Sequence, residues 1–79
     1  MTKNEFVAQL AEYCEFEDQD LTLDTSFKSI EGYDSLAIMS MIAFTDENFK
    51  MKFTSIQLQN LTDFKSFIVI IGEDKFEDD

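Results

Sequence analysis

Four stretches of this chain combine a helix-capping signal with apolar residues at three- and four-residue spacing, which is the period of an α-helix. The first opens with Thr2-Lys3-Asn4-Glu5, a capping box in which a hydroxyl and a carboxylate bond otherwise unpaired backbone amides. This helix is predicted to run to about Glu15. The second helix is predicted over residues 35 to about 48 or 49, with Asp34 as its N-cap.

The other two helical stretches are shorter and lie in the last third of the chain. Thr54-Ser55-Ile56-Gln57 forms another capping box and predicts a short third helix that stops near Asn60. The fourth helix is predicted from an N-cap at Thr62 to a C-cap at Gly72. Apolar residues at i, i+3, i+4 and i+7 between these two caps favour a helix over a strand.

The remaining segments are predicted to connect these helices around one core. Residues 16–33 alternate acids with isolated apolar anchors, which predicts a long ordered loop that ends in a turn at Gly32. Residues 73–79 form an acidic tail that is expected to be frayed, apart from an anchor at Phe76. With 79 residues the chain has room for one all-α domain, ordered over about residues 2–72. The predicted core consists of Phe6, Leu10, Phe27, Ile30, Ile42, Phe49, Phe64, Phe67, Ile68 and Ile71.

The chain is strongly acidic, with 17 Asp and Glu against 6 Lys and Arg and a net charge of -11. A polyanion repels nucleic acid phosphates and anionic lipids, so we expect binding neither to nucleic acid nor directly to a membrane. The charge serves solubility or steers a basic protein partner, and its self-repulsion favours a monomer. No positively charged start precedes an apolar run, and no apolar stretch approaches ~20 residues, which predicts a cytoplasmic protein.

The residue types that most enzyme chemistry needs are missing from this chain. It has no His, which removes Ser-His-Asp and Cys-His nucleophiles and the usual zinc ligand sets, and its single Cys excludes an internal disulfide. Cys14, at helical spacing from Leu10, is interpreted as a small buried apolar residue. No pair of carboxylates is placed by spacing for acid–base catalysis. We therefore predict no catalytic residue and no metal site, and expect the chain not to be an enzyme.

The most informative stretch is Gly32-Tyr33-Asp34-Ser35-Leu36, where the long loop meets the second helix. A hydroxyl in the first turn of a helix lies at the positive end of the helix dipole, which favours a phosphate group there. No His or other base lies near Ser35 in sequence to make it a nucleophile. The serine is therefore interpreted as a hydroxyl that another enzyme modifies, and an exposed serine beside an N-cap is the alternative.

These features together resemble the acyl carrier protein family over roughly residues 3–72: an acidic chain of about 80 residues, a long first loop, Gly-x-Asp-Ser-Leu and a short third helix before a fourth. Asp46-Glu47-Asn48-Phe49 is similar to the acidic end of the family's second helix. Phe53 stands where an apolar residue opens the third helix, and Leu61-Thr62 precedes the fourth as in the family. The resemblance implies an acyl-carrier-type four-helix bundle with 4'-phosphopantetheine attached to Ser35 through a phosphodiester.

The resemblance also implies a carrier function. A phosphopantetheinyl transferase with Mg²⁺ would move phosphopantetheine from coenzyme A to the Ser35 oxygen. The thiol of this arm, not that of Cys14, would then hold acyl groups as thioesters, and in this family the cargo can fold back into an apolar space between the helices. The implied partners are this transferase and the enzymes that load and use the acyl group, in fatty acid synthesis or in a specialised lipid or secondary-metabolite pathway.

The second helix departs from the family pattern to which partner enzymes dock. Fatty-acid carriers usually have several acids along this helix, whereas residues 36–44 here are apolar at eight of nine positions. The Lys50-Met51-Lys52 run adds positive charge where the family often has acids. We predict that the second helix has an apolar docking face and that the chain is a dedicated carrier. The alternative is that about half of the residues of this face are buried in the core. The predicted docking residues are Asp34, Leu36, Ala37, Ser40, Met41, Phe44, Asp46 and Glu47.

Three other interpretations stay open at this point. A peptidyl or D-alanyl carrier would use the same serine and arm, and would differ in the enzyme that loads the thiol. A calcium-binding module is suggested by Asp20-x-Thr22-x-Asp24 with Phe27 and Glu31, although Thr25 replaces the Gly of such loops. An unmodified acidic docking module is the third, and the intact Asp-Ser pair is evidence against it.

Overall fold

Four α-helices and two short 3₁₀ turns make up the regular structure of the described part of the chain. A computed structural model describes residues 1–16 and 20–77, and it contains no β-strand within those ranges. The helices are α1 (Lys3–Tyr13), α2 (Ser35–Phe49), α3 (Ser55–Gln59) and α4 (Phe64–Ile71), and the 3₁₀ turns lie at Phe27–Ser29 and Glu73–Lys75. The all-α prediction of four helices with a long first loop is confirmed. None of the helices in the described part of the chain is both long and apolar enough to cross a membrane.

Both predicted capping boxes form. At α1, the Thr2 hydroxyl accepts a hydrogen bond from the Glu5 amide at 3.0 Å, and the Glu5 carboxylate accepts one from the Thr2 amide at 2.8 Å. At α3, Thr54 and Gln57 make the same reciprocal pair at 3.2 and 2.8 Å. Each box pairs two amides that the first turn of a helix would otherwise leave unpaired, which explains why both helices begin where the local sequence predicts.

The predicted start of α4 is wrong by one residue, because the N-cap is Asp63 and not Thr62. The Asp63 carboxylate accepts a hydrogen bond from the Ser66 amide at 2.8 Å, and the Ser66 hydroxyl accepts one from the Asp63 amide at 3.1 Å. A carboxylate at this position is also stabilised by the positive end of the helix dipole, which a hydroxyl is not. Thr62 instead uses its carbonyl to accept from the Phe27 amide at 2.9 Å, which ties the long loop to the start of α4.

The prediction of a frayed tail is wrong for residues 73–77. Gly72 is the C-cap of α4 as predicted, and its φ of +114° turns the chain into the second 3₁₀ turn. Phe76 is buried, as expected of a late anchor, and the Glu77 amide donates to the Met1 carbonyl at 3.0 Å. Burial of this phenylalanine and pairing with the N-terminal segment hold the acidic tail against the bundle. Residues 78 and 79 lie outside the described part of the chain.

Aromatic rings fill the centre of the bundle around Phe6, which is fully buried. Its ring centroid lies 5.4 Å from that of Phe67, 5.8 Å from that of Phe44 and 5.3 Å from that of Phe76, all in edge-to-face geometry. Eight of the ten predicted core residues are buried. The other two, Ile42 and Phe49, are only partly buried at the edge of the cluster, which corrects the prediction for them. Buried apolar residues absent from the predicted core are Val7, Phe16, Ala37, Ile38, Met41, Phe44, Leu58 and Phe76.

The long loop between α1 and α2 is held by its apolar side chains, as predicted for the part that is described. Phe27 and Ile30 are buried, and Gly32 makes the expected turn with a φ of +87°. The loop is also bound to α4, because the Lys65 amide donates to the Leu23 carbonyl at 3.2 Å. The last residues of the loop therefore reach the start of α2 from a fixed direction. Residues 17–19 of the predicted loop lie outside the described ranges.

Candidate functional site

Ser35 is the first residue of α2, and its side chain is exposed to solvent. Directly before it, the Asp34 carboxylate accepts a hydrogen bond from the Ala37 amide at 3.1 Å, which confirms Asp34 as the N-cap. A cap of this kind typically stabilises a helix by ~1 kcal/mol. The Ser35 hydroxyl is thus accessible and lies at the positive end of the dipole of a 15-residue helix, where added negative charge is stabilised.

Tyr33 connects this helix start to the core. Its ring stacks on that of Phe27 with a centroid distance of 5.3 Å and an interplanar angle of 13°. Its amide donates to the Ile30 carbonyl at 3.3 Å, across the turn at Gly32. These contacts fix the residue two places before Ser35, so the serine lies on a rigid element at the end of a constrained loop.

The described residues hold no group of three or more His, Cys, Asp or Glu side chains that could bind a metal ion. Two residues of the calcium alternative, Thr22 and Asp24, have other partners. Asp24 forms an ion pair with Lys65 at 2.7 Å, and the Thr22 hydroxyl lies 3.2 Å from that of Thr25. This geometry gives the calcium interpretation no support.

Three of the predicted docking residues are not exposed. Ala37, Met41 and Phe44 are only 5%, 0% and 3% exposed, so the predicted exposure of these three is wrong. They occur at i, i+4 and i+7 on α2 and therefore share one face of the helix. In particular, the Phe44 ring contacts both Phe6 and Tyr13, with centroid distances of 5.8 and 5.6 Å.

The other predicted docking residues stay accessible. Asp34, Leu36, Asp46 and Glu47 are exposed, and Ser40 is partly exposed. Leu36 is 70% exposed, and sequence analysis missed Met39, which is 63% exposed one helical turn later. Periodicity gave no signal for Met39, because nearly every residue around this part of α2 is apolar and the buried face could not be distinguished.

Cys14 is partly buried, and its thiol donates a weak hydrogen bond to the Ala37 carbonyl, with Sγ 3.8 Å from the oxygen. Burial raises the pKa of this thiol from 9.0 to about 12. Since the thiolate is the reactive form, the thiol is held in its unreactive state at neutral pH. Cys14 was predicted to be a small buried apolar residue, and the structure shows it partly buried and packed against the core.

Alkylation of Cys14 by iodoacetamide at pH 8 is expected to be roughly a hundredfold or more slower in the folded protein than in the unfolded chain, because the pKa near 12 leaves much less thiolate. The raised pKa also means that the folded state retains this proton longer. The protonated Cys14 thiol therefore makes its full contribution to the stability of the fold below pH 9, and this contribution is lost as the pH rises towards 12. Mass spectrometry of timed labelling, with and without denaturant, measures the ratio of rates, and equal rates would contradict the prediction.

A family model described as a phosphopantetheine attachment site matches residues 4–68 of this chain. The matched stretch begins in α1, includes the long loop and Ser35, and ends within α4. Comparison with curated proteins and with solved structures gives no match. The family match therefore covers the fold elements that position the serine, and it agrees with the chemistry expected of an accessible hydroxyl at this helix end.

Proposed function

The chain belongs to the family of proteins with a phosphopantetheine attachment site, and on that premise we propose that it is an acyl carrier protein modified at Ser35. The observation that supports this residue is the exposed hydroxyl at the capped start of α2, inside the matched stretch. A phosphodiester fits this position, because its negative charge would lie at the helix N-terminus. The bound arm supplies a terminal thiol that holds an acyl group as a thioester.

The role of the chain in its own modification is that of an acceptor. The Ser35 oxygen forms a bond to the phosphorus that carries the pantetheine part of coenzyme A. The pyrophosphate bond breaks, 3',5'-ADP leaves, and the hydroxyl proton passes to a base of the transferase. Asp34 holds the first turn of α2 in place through its bond to the Ala37 amide, so the hydroxyl is presented without reorganisation of the helix.

We expect the carrier to act in the cytoplasm, where coenzyme A is available, and as a monomer, because a net charge of -11 opposes self-association. Its cargo would be an acyl group of fatty acid or specialised lipid or secondary-metabolite synthesis, and the chain itself would catalyse no step. A peptidyl or D-alanyl carrier is the alternative. Loading of the thiol by an acyltransferase supports the acyl assignment, whereas loading only by an adenylating ligase supports the alternative.

The test of this function is the intact mass of the protein after incubation with coenzyme A, Mg²⁺ and a broad-specificity phosphopantetheinyl transferase. We expect one phosphopantetheine group to be added, and peptide mapping to locate it on Ser35. A folded sample that gains no mass with several such transferases would overturn the proposal and favour the unmodified docking module. A gain that maps to another residue would overturn the assignment of Ser35.

We further propose that partner enzymes contact the accessible docking residues of α2. Leu36 and Met39 are exposed apolar side chains next to Ser35, and Asp34 provides a negative charge beside them. Asp46 and Glu47 provide further negative charge at the far end of the helix. A partner surface with an apolar centre and flanking Arg or Lys residues would complement this arrangement.

Replacing Leu36 with glutamate is expected to lower kcat/KM for modification by roughly tenfold or more, because an exposed apolar contact at the centre of an interface is lost. Stability should change by no more than ~0.5 kcal/mol, since the side chain is 70% exposed. Val69→Glu is the matched control, because Val69 is 63% exposed on α4. Equal kcat/KM values for the two variants would contradict docking at Leu36.

A further inference from the structure

Residues 31–36, which include Ser35, form an almost fully exposed stretch of the chain. It lies between the buried side chains of Ile30 and Ala37. Within this stretch every residue is exposed except Tyr33, which is partly buried and packs against the core. Tyr33 is therefore the one side chain of residues 31–36 that attaches the start of α2 to the core by packing.

Two other aromatic rings hold the ring of Tyr33. It stacks on the Phe27 ring, with 5.3 Å between the centroids, and the Phe16 centroid lies 6.4 Å away at an interplanar angle of 46°. Phe27 is only 1% exposed, so the stack lies at the edge of the core and is covered on one side. Aromatic pairs stabilise a structure beyond the area that they bury, and they favour particular ring geometries. The stack therefore favours one position of Tyr33.

Phe27 is fixed in turn by the start of α4. Its ring meets the Phe64 ring edge-on, with 4.9 Å between the centroids. Its amide also donates a hydrogen bond to the Thr62 carbonyl at 2.9 Å. A continuous series of contacts thus leads from α4 through Phe27 to Tyr33, two residues before Ser35.

The position of Tyr33 decides where the N-cap of α2 lies. Gly32, directly before it, has a φ of +87° and the conformational freedom of glycine, so it places little restraint on the turn. Asp34, directly after it, caps the helix through the bond from the Ala37 amide. Without the stack, no packed side chain of residues 31–34 would fix the direction from which the cap meets the helix.

We propose that Tyr33 is a positioning residue for the modification of Ser35, because its stacked ring acts through Asp34 to hold the hydroxyl where the transferase binds it. The proposal rests on the proposed function, since it assumes transfer of phosphopantetheine to this serine. A transferase that meets a preformed site does not have to order the turn when it binds. Without the stack only a fraction of the molecules is competent to bind, which raises KM and leaves kcat unchanged.

The first measurement is the rate of phosphopantetheine transfer by a broad-specificity transferase at saturating coenzyme A. Tyr33→Ala is expected to raise KM for the carrier roughly three- to tenfold, with kcat within about twofold of the wild type. Tyr33→Phe keeps the ring and should have the wild-type KM. The matched control is Phe53→Ala, which truncates another partly buried aromatic residue of a connecting segment and should leave KM unchanged. A wild-type KM in Tyr33→Ala, or an equal rise in Tyr33→Phe, would overturn the proposal.

A second variant, Phe27→Leu, separates positioning from direct contact between Tyr33 and the transferase. Phe27 is buried and cannot touch the transferase, so its replacement should raise KM only by loosening Tyr33. The double variant should have a KM close to that of Tyr33→Ala alone, because both changes remove the same contact. Independent effects that multiply in a folded double variant would mean that Tyr33 binds the transferase directly, and the proposal would be wrong.

Hydrogen exchange followed by NMR tests the positioning without a transferase. The Ala37 amide reports on the cap, and the Phe67 amide, bonded to the Asp63 carbonyl in α4, reports on the bundle. In Tyr33→Ala the Ala37 amide should exchange roughly three- to tenfold faster, and the Phe67 amide should change clearly less. Equal acceleration of both amides would show a loss of overall stability only and would contradict positioning. A selective change at Ala37 in a protein that gains no phosphopantetheine would support the positioning of the turn and count against the proposed function alone.

Discussion

Replacing Ser35 with alanine is expected to abolish the mass gain from coenzyme A while the protein stays folded. The hydroxyl is the only atom of this side chain that can form the phosphodiester, so the expected loss is complete. The helix does not need it, because the cap is the bond from the Ala37 amide to the Asp34 carboxylate. Alanine is also a good helix former, and the unfolding free energy should change by no more than ~0.5 kcal/mol. Intact mass spectrometry and urea unfolding measure the two quantities.

The chain offers a matched control for this variant in Ser55. This residue is the first of α3, is exposed, and also follows a side-chain cap, which is Thr54. Ser55→Ala should gain the full mass at the wild-type rate. A mass gain in Ser35→Ala, or a loss of modification in Ser55→Ala, would show that the hydroxyl at the start of α2 is not the acceptor.

The features of this site that could be predicted from sequence are those that depend on neighbouring residues. Asp34 caps α2 through a bond to a residue three places along the chain, and the turn at Gly32 needs only the conformational freedom of glycine. The start of α4 shows the limit of such signals. Thr62 and Asp63 are both capable of capping, and the pairing of Asp63 with Ser66 decides between them.

The features that sequence did not predict depend on contacts between distant segments. The buried side of α2 was not predicted, because residues 36–44 are apolar all round and only their packing in the bundle selects Ala37, Met41 and Phe44 for burial. The order of residues 73–77 depends on contacts of Phe76 with Phe6 and of Glu77 with Met1, at the opposite end of the chain.

The largest expected loss of stability is that of Phe6→Ala, at about 3–5 kcal/mol. Phe6 is fully buried, and its ring lies against those of Phe44, Phe49, Phe67 and Phe76. Truncation removes the contact that joins α1 to α2, α4 and the tail, and leaves a cavity that these rings cannot fill by small shifts. A domain of 79 residues is typically stable by only ~4–12 kcal/mol, so the variant should be close to unfolding at room temperature.

Urea unfolding followed by circular dichroism measures this loss, with Phe53→Ala as the control. Phe53 is only partly buried and has one ring neighbour of the same cluster, Phe67 at 6.3 Å, so its truncation should cost clearly less. Equal losses in the two variants would contradict the central position of Phe6.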